Sequence, residues 1–217
     1  MPRRREKKKY VFEYKASTND YLLALAYHPS FSKLLLPTNK NYGIVLEWLI
    51  SNEDFLKNED NSLPSIKELS QNLNLDRTKV SKYLKDIYDD IFSLNEKKPN
   101  LFMREGQYLC DLSFSYLNSR AYFSMGLDVI PRVNDSLSFD FIKPKNGGSM
   151  FYVEDVSHEL DGANHKISIY LTSDFPNKYL KLLKEKAYLR HYITFQEFLE
   201  PMSSEEVERL VKWYREL

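Results

Sequence analysis

Apolar residues recur at helical spacing through the first half of the chain and at alternate positions through much of the second. Over 42–56, Val45, Trp48, Leu49, Asn52, Phe55 and Leu56 fall where one helix would bury them. Ile66, Leu69 and Leu73 form a stripe at i, i+3 and i+7, and Val80, Leu84 and Ile87 form a second one. Between the stripes the punctuation is specific. Ser65 and Glu68 make a capping box, each side chain accepting an orphan amide hydrogen. Asn74 stands at a sharp turn, where asparagine tolerates left-handed backbone, Leu75 plugs the turn, and Asp76 is placed to cap the second helix. Further upstream, 10–14 predicts a short strand. Thr18 opens a helix over 19–27, and Pro29 ends it.

After the second stripe the period drops to two. Segments 101–104 and 108–114 read as strands around Glu105-Gly106-Gln107. Tyr108, Cys110, Leu112 and Phe114 share one face of the latter, and Leu109, Asp111 and Ser113 the other. Between 122 and 172, turn signals at 131–135, 143–148 and 161–164 separate further runs. Leu137, Phe139 and Phe141 alternate with polar neighbours, as do Ile167, Ile169 and Leu171. This predicts an antiparallel meander or small barrel. A helix over 177–192 follows. Ser203 with Glu206 opens a last one, whose apolar face is Val207, Leu210, Val211, Tyr214 and Leu217.

Three helices followed by a hairpin resemble the winged helix-turn-helix family, widespread among bacterial regulators. The resemblance covers about 42–114 and is most specific over 65–87. It implies duplex DNA as partner, with the third helix in the major groove and the hairpin on the backbone. Carried over by position, Arg77, Thr78, Lys79, Ser81, Lys82 and Lys85 form the reading segment, and Lys97, Lys98, Arg104 and Gln107 the wing contacts. The helical projection agrees. At about 100° per residue, Thr78, Lys82 and Lys85 lie opposite Val80, a mixture of cations and short hydroxyls suited to phosphates and base edges. Two positions depart from the family pattern. Ser70 replaces a small apolar residue with a hydroxyl that needs a partner, and Glu105 at the wing tip would face phosphate.

The expected fold is therefore α+β: a basic tail at 1–9, a strand and helix within 10–39, a winged helix domain at 40–118, an antiparallel β domain at 119–175, and helices over 176–217. With 42% apolar and 14% aromatic residues, the chain is globular in composition. Overall charge is balanced, 31 basic against 31 acidic residues, but unevenly placed. Residues 1–9 carry net +5, so Arg3, Arg4 and Arg5 are candidate phosphate contacts. Segment 40–117 carries ten cations and thirteen anions, and four of those cations lie between Arg77 and Lys85. That local excess of acid favours an alternative in which the winged helix contacts protein and not DNA.

Little else carries chemistry. The single cysteine, Cys110, excludes an internal disulfide framework and reads as a core residue of a cytoplasmic protein. No apolar run approaches a membrane span, and acidic and basic residues interrupt any signal-peptide core. Gly147-Gly148 is an isolated hairpin turn, not a phosphate loop. His158 and His165 are separated by six residues. Pairing Leu160 with His165 would set both histidines diagonally on one face, where a metal would still want a third ligand and Glu154 is the only acid on that face of the strand. No enzyme activity, cofactor or metal is expected. The C-terminal half is left with a second copy, a protein or a ligand as partner. Its many tyrosines and phenylalanines read mainly as core, with stacking on single-stranded nucleic acid as a third function class.

Overall fold

A computed structural model describes residues 14–36, 40–57, 62–162, 164–173, 178–199 and 202–216. The 10–14 strand and the basic tail lie outside these, apart from Tyr14. Helices come first: α1 (Thr18–Tyr27), α2 (Pro29–Lys33), α3 (Gly43–Ser51), α4 (Glu53–Lys57), α5 (Ile66–Asn72) and α6 (Arg77–Lys97). A 3-10 turn, Pro99–Phe102, leads into β1 (Tyr108–Tyr116) and β2 (Ser119–Leu127). Then follow β3 (Ser136–Ser138), α7 (Lys143–Asn146), β4 (Met150–Asp161) and β5 (Asn164–Thr172). The chain divides after residue 174, and the remainder holds α8 (Lys178–Leu189), α9 (Phe195–Leu199) and α10 (Ser204–Arg215) around Leu183, Ala187, Ile193 and Leu210.

Local punctuation follows the sequence closely. The Ser65–Glu68 and Ser203–Glu206 capping boxes both form. At α1 the cap is one residue earlier than expected, Ser17 pairing reciprocally with Asp20, and Pro29 opens α2 where it was expected only to end α1. Asp76 occupies the N-cap of α6, but its carboxylate makes no capping hydrogen bond. The 42–56 segment breaks at Asn52, and Phe55 is exposed, not buried. Gly147, expected in a hairpin turn, instead ends α7 in left-handed conformation at φ 91°. Phe139 and Phe141 are core residues, yet the regular strand stops at Ser138 and 140–142 forms a 3-10 turn.

The sheet departs further from expectation. Its order is β2-β1-β5-β4-β3, and β1 runs parallel to β5 while every other neighbouring pair is antiparallel. The meander is thus a mixed sheet that takes in β1, the strand expected to belong to the wing. Alternation along β1 correctly marks Cys110, Leu112 and Phe114 as the buried face. It is silent on which strand lies alongside, and the partner beyond the β1–β2 hairpin comes from more than fifty residues away, Cys110 pairing with Ile167. The other expected wing strand, 101–104, does not form. Pro99 fits the first position of a 3-10 turn, which buries Phe102.

One core joins helices and sheet. It runs from Leu22 through Val80, Ile87 and Ile91 to Phe151 and Leu171, so the expected boundary at 118 falls inside a single hydrophobic unit. Phe141 sits at its centre, with ring centroids of Tyr88 at 5.0 Å, Phe31 at 5.1 Å, Phe123 at 5.3 Å and Phe92 at 5.6 Å. The Tyr88 hydroxyl donates to the Phe141 carbonyl at 2.8 Å. Asn95, also buried, grips the edge strand: its amide donates to the Ser124 carbonyl at 2.6 Å and accepts from the Ser124 amide at 2.9 Å. These contacts explain why α6 continues ten residues past Ile87. Its second half faces the core and gains burial from every turn.

Asp20 fastens α1 to α7. Its carboxylate accepts from the Ser17 hydroxyl at 2.7 Å, the Ser17 amide at 2.8 Å and the Tyr14 hydroxyl at 2.8 Å, and meets Lys143 Nζ at 3.1 Å. Burial alone would raise its pKa, but the Ser17, Tyr14 and Lys143 contacts outweigh it and lower the group from 3.8 to about 2. A depressed carboxylate stabilises the fold above its unfolded pKa and loses that contribution as pH falls through its folded one. The melting-temperature gap between wild type and Asp20→Asn should therefore be full above pH 4 and close as pH approaches 2. A gap that is constant over that window would show that ionised Asp20 contributes nothing.

Candidate nucleic-acid interface

The turn between α5 and α6 is built as its residues require. Asn74 takes φ 51°, the left-handed conformation its position demanded. Ser70, whose hydroxyl needed a partner, donates it to the Leu75 carbonyl at 2.5 Å, while the Leu75 amide returns to the Ser70 carbonyl at 3.0 Å. The departure from the family pattern is thus satisfied inside the turn. Leu69, Val80 and Leu84 are fully buried, and partly buried Leu75 packs against the same core, fixing the two helices about the turn. Asn74→Val should cost about 1–2 kcal/mol, because a branched residue resists φ > 0, while Asn74→Gly should leave stability nearly unchanged. Equal melting temperatures for the two variants would contradict the role given to the turn.

Along the first turns of α6, Thr78, Lys82 and Lys85 are exposed on the side opposite Val80, Arg77 is exposed at the tip, Lys79 is exposed on one flank, and Ser81 is half-buried on the other. The structure brings these six residues together on the first nine positions of one helix. It separates them from the expected wing residues. Lys97 and Lys98 are exposed at the other end of α6, and twenty residues at 1.5 Å rise put Lys97 about 30 Å from Arg77. Arg104 is exposed but lies 3.8 Å from Asp128. Gln107 accepts from the Arg104 amide at 2.8 Å and donates to Asp128 at 3.0 Å, closing a turn around Gly106 at φ 84°. Arg3, Arg4 and Arg5 lie outside the described residues.

Beside the basic face is a depression of about 450 Å³, lined by Lys40, Tyr42, Lys82, Asp86, Asp89 and Asp90 among others. Two of its acids already have cations. Lys40 Nζ and the Tyr42 hydroxyl each lie 2.6 Å from Asp90, and Lys145 Nζ lies 3.4 Å from Asp89. Lys145 belongs to α7, so the acid excess counted along 40–117 is partly cancelled in space by a residue outside that segment. Reasoning along the sequence missed this because the two residues are 56 positions apart.

The β4–β5 hairpin has the expected register, with Leu160 opposite His165. The imidazoles do meet, His158 Nδ1 lying 2.9 Å from His165 Nε2. Glu154, expected on their face, is the extra residue of a bulge between Val153 and Asp155, which takes it out of the alternation. Among the described residues no group of three side chains is placed to hold a metal. Cys110 is buried, and desolvation, with Asp111 nearby, pushes its thiol up to about 11, so it is held protonated. His28, without an evident partner in the sequence, stacks on Phe31 at 5.3 Å. Tyr170, which with Ser168 alternates with the apolar face of β5, is exposed, and so is Tyr122 on β2. Each shares its face with polar residues two positions away, Tyr122 with Arg120 and Ser124 and Tyr170 with Ser168 and Thr172, and that spacing carried the signal.

Among the described residues no helix is long and apolar enough to cross a membrane. No protein-family model, curated protein or solved structure is detectably similar to this chain.

Proposed function

We propose that the chain binds duplex DNA through the α5–turn–α6 unit, as a transcriptional regulator of winged helix-turn-helix type or a control protein of replication or a mobile element. In this reading Thr78, Lys79, Ser81, Lys82 and Lys85 enter the major groove and Arg77 meets phosphate at its rim. The supporting observation is that Thr78, Lys82 and Lys85 lie on the side of α6 opposite the face locked into the core, with Arg77 exposed at its N-terminal tip and Lys79 exposed on its flank. Such a helix end presents charge and hydroxyls without disturbing its own packing. The wing footprint contracts in this reading, since Lys97 and Lys98 lie too far along α6 to contact the same stretch of backbone. The β1–β2 hairpin takes the wing's place in chain order, and the basic tail supplements a small phosphate footprint.

Retardation of a mixed-sequence duplex at low salt tests this directly. Neutralisation of one groove-lining phosphate by each of Arg77, Lys79, Lys82 and Lys85 predicts a slope of about −3 to −4 in log affinity against log salt. Absence of retardation at low salt would sink the DNA reading. The acids that line the depression beside Lys82 favour the alternative, a docking face for a protein partner, and that reading would then take its place.

A further inference from the structure

We infer that the open face of the sheet is a second, separate binding site, for single-stranded nucleic acid. Tyr122, Ser113 and Tyr170 form one cross-strand row, since Ser113 pairs with Tyr122 on β2 and with Tyr170 on β5. Both tyrosines project from the polar face, at 65% and 44% exposure, unlike Phe123 beside the first and Ile169 and Leu171 beside the second, which are buried in the core. Two strand spacings place the tyrosines about 10 Å apart over the small Ser113. A planar ring seated between them would lie about 5 Å from each, within the 4.5–7 Å range of favourable aromatic pairs. The row lies in a depression of about 280 Å³.

Charge around the row selects the occupant. Arg120 stands one row away, opposite Ser115. Lys166 lies 3.5 Å from Asp111, whose other oxygen accepts the Ser124 hydroxyl at 2.6 Å, so the carboxylate in the depression is already neutralised. Asp155 pairs with Tyr170 on the β4 side and sets the limit of the site there. A nucleic-acid strand therefore runs over β2, β1 and β5, one base between the tyrosines and its phosphate toward Arg120, since Lys166 is engaged by Asp111 and stands opposite Glu159. Serine hydroxyls in the floor can reach a base edge, and stacking tolerates any base. This site uses no residue of α6, so it stands or falls independently of duplex binding.

The test uses the full chain and a fluorescein-labelled oligothymidylate, read by anisotropy at low salt. Tyr122→Ala and Tyr170→Ala should each weaken binding about 5- to 100-fold, with Tyr122→Phe close to wild type. Melting temperatures should be unchanged, because both side chains are exposed. Reversing Lys82 and Lys85 should leave oligothymidylate binding intact. The inference is overturned by no binding at low salt, by equal affinity of wild type and both alanine variants, or by loss only on reversing the lysines or deleting residues 1–9.

Discussion

Lys82→Glu combined with Lys85→Glu should weaken duplex binding about 10- to 100-fold at roughly 0.1 M salt and shallow the salt dependence by about two phosphate contacts. Both side chains are exposed on the face of α6 opposite Val80 and Leu84. The substitution places two carboxylates where two ammonium groups would meet phosphate, so attraction becomes repulsion. Thermal stability should move by no more than about 0.5 kcal/mol, as for surface positions away from buried partners. Lys97→Glu with Lys98→Glu is the matched control. It makes the same charge change about 18 Å further along the helix and should have a much smaller effect. Equal losses from the two pairs would mean that net charge, not the α6 face, governs binding.

Phe141→Ala should destabilise the 14–173 unit by about 3–5 kcal/mol, the cost of removing a fully buried phenylalanine and leaving its cavity. The ring contacts aromatic side chains from α2, α6 and β2, and its backbone carbonyl receives the Tyr88 hydroxyl. The effect should accordingly appear together in helical and sheet signals, as one transition at lower denaturant with an unchanged slope. The same argument predicts that a fragment of 40–118 will not fold alone. Removing β5 strips β1 of its parallel partner, and removing Phe141 empties the centre of the core against α6. A Phe141→Ala protein in which amides of α5 and α6 keep full exchange protection while the sheet loses it would show two independent domains.

Features settled within a few residues were legible along the chain alone. The capping boxes at Ser65 and Ser203, the left-handed turn at Asn74, the buried stripe of Val80, Leu84 and Ile87, and the Leu160–His165 register all follow from period, cap chemistry and turn geometry. The outward face of the first nine residues of α6 follows from the same stripe, so the core of the candidate interface was legible as well. Everything that depends on which surfaces meet was set by contacts between distant segments. Alternation tells a strand its buried face but not its neighbour, so the parallel pairing of β1 with β5, and with it the loss of a boundary at 118, could not be read from either segment. The length of α6 was set by Phe141 and by the backbone of Ser124, which cover its second half. The charge beside Lys82 was set by Lys145 folding back from α7. Short-range rules act through bonds a few residues long. The long-range choices rest on burial and charge, which depend only on distance in space.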